Sequence, residues 1–366
     1  MLNWLKILLL CLFFSFTQAQ TLTIGLILPL SGEDAAQGQA YSRALEAFQL
    51  DLAKTKPYLT GALAITVVDS GSSPIHTLEL AQQVLAQSVQ VLICCTKPEA
   101  TSEVLPLAQA RGLPVISLSQ LEESAAWGYS LNLSEEDKIR AVFLAMAERG
   151  LSRLAVMAEE SRRADLEFIL SRLSVPGGVA VIDLTTYPFD AEVLSPEALW
   201  VATRQPDAVL LWDELYRTGL AYAGLRARGY EQNVFISPDL FEEAWFSQFS
   251  GALSVVAPLQ AVDLAPEHPA FEKVVRYRNA YREAQMGAVF SAEGAELYDG
   301  LTAISLALEE VMSYGIQDQQ ALQSALVDSL RQLGEVQGVS GRFSFSQFGN
   351  ALKADSLVLS RVPIRP

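Results

Sequence analysis

Residues 22–52 contain a strand, a loop and a helix in succession, and this unit constrains the fold more than any other stretch. The run Thr21–Leu28 is almost wholly apolar, which is typical of a parallel-sheet strand that is covered by helices on both faces. Pro29 cannot donate a backbone hydrogen bond, so the strand should end there. Turn-forming residues 31–38 follow, and from Gln39 apolar residues recur at helical spacing. The loop is then either a ligand-binding loop at the carboxyl end of its strand or an ordinary connection.

The same alternation of strand and helix continues along the chain. Apolar runs predict further strands at Leu63–Asp69, Val89–Cys95, Val115–Leu118, Leu154–Ala158, Ala180–Leu184, Ala208–Trp212, Val234–Ile236 and Leu253–Leu259. Helical spacing predicts helices between these strands, followed by three long helices at Ala270–Gln285, Ala292–Tyr314 and Gln319–Leu333. This order predicts an α/β fold with doubly wound parallel sheets.

Length and charge limit the class of protein. A chain of 366 residues is long enough for two domains, each with its own core. The formal net charge is −16, which argues against nucleic acid or an anionic membrane surface as a partner.

The N-terminal segment has the pattern of a cleaved secretory signal. Lys6 precedes the apolar run Ile7–Phe16, and a small residue, Ala19, stands before the expected cleavage point. Cys11 lies inside the apolar run rather than after it, so a lipoprotein cysteine is not predicted. The run is also too short to favour a transmembrane helix. Residues 1–19 are therefore predicted to be removed, and the mature protein is expected in the periplasm.

The sequence contains no pattern that indicates catalysis. Cys94 and Cys95 are adjacent, and since such a pair can close only a strained ring, they are expected as two buried strand-end residues, with their redox state left open. His76 and His268 belong to no metal-binding spacing. A nucleophile elbow, a phosphate-binding loop and a dinucleotide fingerprint are all missing from the sequence. We predict neither an enzyme nor a cofactor.

Three segments carry a resemblance to a known family. They are the first strand and loop Thr23–Gly32, the helix start Glu296–Gly300 and the C-terminal turn segment Gly341–Asn350. In this order they resemble the periplasmic substrate-binding proteins of ABC transporters, in the branched-chain amino acid (Leu/Ile/Val) group. The likeness extends over nearly the whole mature chain.

The resemblance implies two doubly wound α/β lobes, joined by three crossovers, that close on a small-molecule ligand. The crossovers are expected near Asn132, Pro258 and Gly338. The first lobe would comprise residues 20–132 and 260–338, and the second lobe residues 133–259 and 339–366. The resemblance further implies that an ABC permease is a possible partner.

The resemblance also implies how a ligand is held. One lobe would bind a carboxylate at helix N-termini and hydroxyl groups, and an acid from the other lobe would bind an ammonium group. The residues that match these positions, or that replace the residues usual there, are Thr101, Ser117, Ser119, Asp239, Trp212, Arg163 and Lys97. The expected ligand is a small carboxylate-bearing metabolite, amino-acid-like at first guess, that is carried to an ABC importer.

Alternatives stay open at several of these positions. Asp239 is either a ligand-binding acid or the cap of the following helix, and Trp212 is either a wall of the cleft or part of the core. Arg163 and Lys97 are either solvated first-turn residues or the groups that would hold a dicarboxylate. A periplasmic sensor or activator on the same fold, without a transport role, is the alternative function. The departures from the family pattern that favour it are Gln37, Lys97, Pro98 and Arg163.

Overall fold

The computed structural model describes residues 21–121, 127–173, 178–244, 249–285, 291–316 and 318–363. The predicted signal segment, residues 1–19, lies outside these ranges. Within them, no helix is both long and apolar enough to cross a membrane.

The described chain alternates strands and helices as the sequence predicts. The strands are β1 Leu22–Leu28, β2 Leu63–Asp69, β3 Val91–Cys94, β4 Val115–Ser117, β5 Gly128–Ser130, β6 Arg153–Glu159, β7 Ala180–Tyr187, β8 Ala208–Leu211, β9 Asn233–Ile236, β10 Leu253–Val256, β11 Glu335–Gln337, β12 Arg342–Ser344, β13 Gly349–Asn350 and β14 Val358–Arg361. The helices are α1 Ala35–Thr55, α2 Pro74–Leu85, α3 Pro98–Gln109, α4 Glu135–Glu148, α5 Arg163–Arg172, α6 Ser195–Thr203, α7 Leu215–Ala227, α8 Phe241–Ala244, α9 Phe271–Ala284, α10 Ala295–Ser313 and α11 Gln319–Gln332.

The first sheet has the strand order β13-β5-β4-β3-β1-β2, and every neighbouring pair in it is parallel. Helix α1 packs against α9 and α10, and these helices cover one face with a core that includes Phe48, Tyr277 and Leu301. Helices α2 and α3 cover the other face, where Val84 and Val104 are buried. Apolar side chains on both sides of β1 are thus removed from water, which explains its unbroken apolar sequence.

The second sheet has the order β14-β10-β9-β8-β6-β7. All of its neighbouring strands are parallel except β14, which runs antiparallel to β10. It also has a core on each face, one around Val209 and Ile236 and one around Val156 and Phe235. Strands β11 and β12 form a separate antiparallel pair. Two mostly parallel sheets, each covered by helices, confirm the predicted α/β fold class.

The described chain passes between the two sheets three times. The first passage lies between β5 and β6, the second between β10 and α9, and the third between β13 and β14. The third differs from the crossover predicted near Gly338, because Gly349 and Asn350 pair with Tyr129 and Ser130 of the first sheet. The ring of Tyr129 also lies 4.7 Å from that of Phe345. Residues 339–350 therefore belong with the first sheet, and only the end of the predicted 339–366 segment joins the second.

The first strand–loop–helix unit is held together by a close approach between backbone segments. The amide of Gly38 donates to the carbonyl of Asp34 at 3.0 Å. A Cβ atom on Gly38 would lie 2.0 Å from the carbonyl oxygen of Pro29, so only glycine fits where the helix passes the end of β1. The loop after β1 is thereby fixed against the carboxyl end of the first sheet.

Cys94 and Cys95 lie buried at the end of β3, as predicted. Their sulfurs are bonded to each other in a disulfide between adjacent residues, a redox state that the sequence leaves open. Cys95 has a φ of +73°, in the left-handed region that non-glycine residues rarely adopt. The carbonyl of Cys95 accepts a hydrogen bond from the hydroxyl of Thr101 at 3.4 Å. The disulfide is therefore part of the turn that leads into α3.

Candidate functional site

A cleft of about 430 Å³ lies where elements of the two sheets meet, and we call it the central cleft. Helices α1 and α10 contribute to it from the first sheet, and α4 and the segment after β9 contribute from the second. Its polar lining includes Gln37, Tyr41, Asn132, Lys138, Asp239, Glu242, Gln260, Ser291, Glu293, Glu296 and Ser340. A concave site of this size, formed by two structural units, is typical of small-molecule binding.

On the side of the first sheet, a tyrosine and a glutamate are held together. The hydroxyl of Tyr41, on α1, donates to Oε1 of Glu296, in the first turn of α10, at 2.6 Å. Burial raises the pKa of Tyr41 well above its usual value, and the charge of the nearby Glu296 carboxylate raises it further. Burial also raises the pKa of Glu296. The pair brings the start of α10 against α1 and places a desolvated carboxyl group at the cleft.

On the side of the second sheet, an ion pair is formed by Lys138 and Asp239. Lys138 lies on α4, which begins with Ser134 accepting from the amide of Asp137. Its Nζ donates to both carboxylate oxygens of Asp239, at 2.7 and 2.8 Å. Asp239 lines the cleft, and its charge is balanced by Lys138; its contact with a ligand stays a prediction. The hydroxyl of Ser237 also accepts from the amide of Asp239 at 3.3 Å.

Two further acids complete the lining. Oε1 of Glu242, on α8, accepts from the amide of Ala292 at 3.1 Å, a contact between the two sides of the cleft. Burial raises the pKa of Glu242. Partial desolvation at the rim raises the pKa of Glu293, and the nearby Glu242 carboxylate adds to this effect. Among the described residues, Glu242, Glu293 and Glu296 have no ion-pair partner.

The three predicted hydroxyl residues come together, but as a closed group that we call the hydroxyl cluster. The Thr101 hydroxyl lies 3.1 Å from that of Ser117 and 2.7 Å from that of Ser119, and the two serine hydroxyls are 3.1 Å apart. The exposed fraction is 2% for Thr101, 0% for Ser117 and 7% for Ser119. They lie outside the lining of the central cleft. Their hydroxyl groups therefore satisfy one another at the ends of β3 and β4.

Lys97 and Arg163 are paired with groups of the chain. Nζ of Lys97 lies 2.7 Å from a carboxylate oxygen of Glu33 and 3.0 Å from one of Asp34. Hydrogen bonds to the two carboxylates raise the pKa of Lys97, and the bond to Glu33 has the larger effect. Arg163 donates to the hydroxyl of Thr186. Both cations are thus engaged in ways that need no ligand.

Trp212 is buried among the apolar residues on one face of the second sheet. Its indole nitrogen donates to Glu135, so its polar atom is satisfied within the protein. This arrangement corresponds to the core alternative, and Trp212 lies outside the lining of the central cleft.

The residues that sequence reasoning missed are joined only by tertiary structure. Tyr41 and Glu296 are 255 positions apart, and Glu242 and Ala292 are 50 apart. Tyr41 falls on the apolar stripe of α1, so it resembles an ordinary core residue. The sequence predicts that Glu296 lies at a helix start, as it does, but nothing in the local sequence indicates that its carboxyl group faces Tyr41.

Asp299, on α10, has a structural role. Its carboxylate oxygens accept from the amides of Val339 and Ser340 at 2.9 and 2.7 Å. It thereby ties α10 to the segment between β11 and β12. Burial raises the pKa of Asp299 to about 6.

In the described part of the chain, no group of three or more histidine, cysteine or carboxylate side chains is arranged to hold a metal ion. The polar groups of the central cleft are hydrogen-bond donors and acceptors that surround a space. The arrangement is suited to binding a small polar molecule.

Comparison with known proteins places this geometry in context. The sequence profile of the periplasmic binding protein family matches residues 21–359, whereas a search of curated protein sequences found no match. A solved structure of a putative branched-chain amino acid ABC transporter from Rhodospirillum rubrum is similar, with a TM-score of 0.70 and 19% identity over 94% of this chain and 98% of that one.

Two further solved structures share the fold. One is a leucine-, isoleucine-, valine-, threonine- and alanine-binding protein from Brucella ovis in a closed conformation, with a TM-score of 0.70, 15% identity, and coverage of 95% of this chain and 97% of that one. The other is an ABC transporter substrate-binding protein from Desulfitobacterium hafniense in complex with Leu, with a TM-score of 0.67, 17% identity, and coverage of 93 and 97%.

Proposed function

Since this chain belongs to the periplasmic binding protein family, we propose that it is an extracytoplasmic solute-binding protein that captures one small molecule in the central cleft for an ABC importer. The family and the similar solved structures are solute-binding proteins and not enzymes. The observation that supports the proposal is a cleft of about 430 Å³ lined from both sheets. A ligand there would contact both sides at once, so its binding would favour their approach.

Two features of the neighbours support an amino-acid-sized ligand. The Brucella ovis protein is named for five amino acids, and the Desulfitobacterium hafniense protein is in complex with Leu. The volume of the cleft lies within the range of pockets that bind small molecules. We therefore propose a metabolite of about this size, with Asp239 and the other polar residues of the cleft as its contacts.

Export is the second part of the proposal. The apolar run within residues 1–19, preceded by Lys6, has the composition of a secretory signal, and the family acts outside the cytoplasm. Mature protein should begin near Gln20, which N-terminal sequencing of secreted material would check. An intact apolar N-terminus, or a lipid on Cys11, would contradict this part.

A thermal-shift screen against small metabolites tests the binding function. A ligand that binds only the folded state raises the Tm by mass action, by an amount that grows with its concentration. The shift should shrink in Glu296→Gln, which alters the cleft, and should persist in Glu103→Gln, an exposed residue of α3. If no metabolite in the screen raises the Tm, a solute-binding role is contradicted.

A further inference from the structure

We infer that the ligand of the central cleft carries a cationic group, an amine or a guanidinium, and that it is held without a carboxylate. This inference rests on the proposed function, because it names the chemical class of the molecule that the same cleft would take. It departs from the amino-acid-like zwitterion that the sequence resemblance implies.

Negative groups outnumber positive groups in the cleft. Its lining contains four carboxyl groups, Asp239, Glu242, Glu293 and Glu296, and one ammonium group, that of Lys138. Lys138 is already bound to Asp239 through both carboxylate oxygens. Three acids are then left without a cation from the described chain, and a cationic ligand would supply the missing charge.

Glu242 and Glu296 receive hydrogen bonds from neutral donors. Glu242 accepts from the amide of Ala292 and from the side chains of Gln260 and Ser291. Glu296 accepts from the hydroxyl of Tyr41. Charge-assisted hydrogen bonds from an ammonium or guanidinium group are stronger than those from neutral donors. A cationic ligand would therefore bind these carboxyl groups more strongly than the protein's own donors do.

Positions suited to a ligand carboxylate are already occupied by groups of the protein. The N-terminus of α10 borders the cleft, but its first turn holds the Glu296 carboxyl group, which takes the place favoured for an anion. The hydroxyl cluster of Thr101, Ser117 and Ser119 is buried and internally bonded. A ligand carboxylate in the cleft would lie near three acids, and the one ammonium group of the lining, that of Lys138, is already paired with Asp239.

A further feature of the cleft concerns the neutral part of the ligand. The side-chain nitrogen Nδ2 of Asn132, which lines the cleft, is buried and has no hydrogen-bond partner among the described residues. A buried donor without an acceptor is costly. A neutral oxygen on the ligand, such as an amide carbonyl or a hydroxyl group, would satisfy it. The cleft thus fits an amine that also bears a neutral oxygen.

Calorimetry with three matched compounds tests this inference. Leucinamide keeps the ammonium group and replaces the carboxylate by a neutral amide, leucine has both charges, and N-acetylleucine keeps only the carboxylate. The wild-type protein should bind leucinamide at least about tenfold more tightly than leucine, and N-acetylleucine not measurably. In Glu242→Gln/Glu293→Gln, leucinamide affinity should fall by about tenfold or more, since charged hydrogen bonds are lost. In Glu103→Gln it should be unchanged.

Three results would overturn the inference. They are leucine binding as tightly as leucinamide or more tightly, leucinamide affinity that is the same in the double variant, and no binding of leucinamide at all. Circular dichroism and the Tm of the double variant show whether it is folded. Leucine binding with an unchanged affinity in the double variant would leave the proposed function standing, whereas failure of the whole metabolite screen would remove it. The two failures are thus distinguishable.

Discussion

Some buried polar side chains connect two separate elements of the fold through hydrogen bonds, and Asp299 is one of them. Its carboxyl group is buried on α10 and receives two backbone amides from the segment after β11. Burial raises the pKa of Asp299 from 3.8 to about 6, so the folded state binds the proton of this group more tightly than the unfolded chain does. Its contribution to stability is present below about pH 4 and is lost as the pH rises through about 6.

Asp299→Asn should remove this dependence on pH. A pKa displacement of about two units corresponds to roughly 3 kcal/mol. The wild-type free energy of unfolding, minus that of Asp299→Asn, should therefore fall by roughly that amount between about pH 4 and pH 7. Urea unfolding at several pH values measures it. Parallel curves for the wild type and Asp299→Asn would contradict the assignment.

The hydroxyl cluster provides a second prediction for a single residue. Thr101→Val removes the hydroxyl that bonds both Ser117 and Ser119, and it should destabilise the protein by about 1–3 kcal/mol. If the cluster is structural, the affinity for any ligand found in the screen should be unchanged. A loss of about tenfold or more would instead support the carboxylate site that the sequence resemblance implies. Thr55→Val, at an exposed residue of α1, is the matched control.

At the scale of elements, the first strand–loop–helix unit depends on the missing side chain of Gly38. A Cβ atom there would lie 2.0 Å from the Pro29 carbonyl oxygen, whereas a Cβ atom on Gly61 would have no neighbour within 4 Å. Gly38→Ala should lower the free energy of unfolding by about 1–3 kcal/mol, since the backbone must move apart. Gly61→Ala should leave it unchanged or raise it by about 0.4–1 kcal/mol. Equal effects in denaturant unfolding would contradict the close approach.

Elements defined by local pattern could be predicted, and those defined by distant partners could not. The apolar run of β1 and the helical stripe of α1 are visible in the sequence, because burial on one or both faces determines their residues. The two-residue strand β13 has no such pattern, since it exists only through its pairing with Tyr129 and Ser130. For this reason the third crossover was predicted near Gly338, before the chain actually leaves the first sheet.

The candidate site was predictable only where a residue follows a strand directly. Asp239 comes immediately after Pro238 at the end of β9, and it lines the cleft. Glu293 and Glu296 lie close together at the start of α10, whereas Glu242 lies on α8, and the tertiary contact between Glu242 and Ala292 brings the three acids to one space. Sequence position could identify the loops at the sheet ends, but not which carboxyl groups would lack a cation.

At the scale of the whole molecule, a ligand in the central cleft should change the relation of the two sheets. Tyr41 and Glu296 line the cleft from one side and Lys138 and Asp239 from the other, and the chain passes between the two sides in three places. A ligand that contacts both sides stabilises the arrangement in which they are close, by its difference in affinity for the two states. Small-angle X-ray scattering should therefore show a smaller radius of gyration when leucinamide saturates the wild-type protein.

The same measurement on two variants separates closure from simple binding. Glu242→Gln weakens a contact of the second-sheet side and Glu296→Gln one of the first-sheet side, so each should require more leucinamide for the same decrease in radius. Glu103→Gln, on the outer surface of α3, should follow the wild-type curve. Because a ligand held by one side alone gives no difference in affinity between open and closed states, it would produce binding heat without any change in radius. That result would place the ligand on one side only and would contradict its capture between the two sheets.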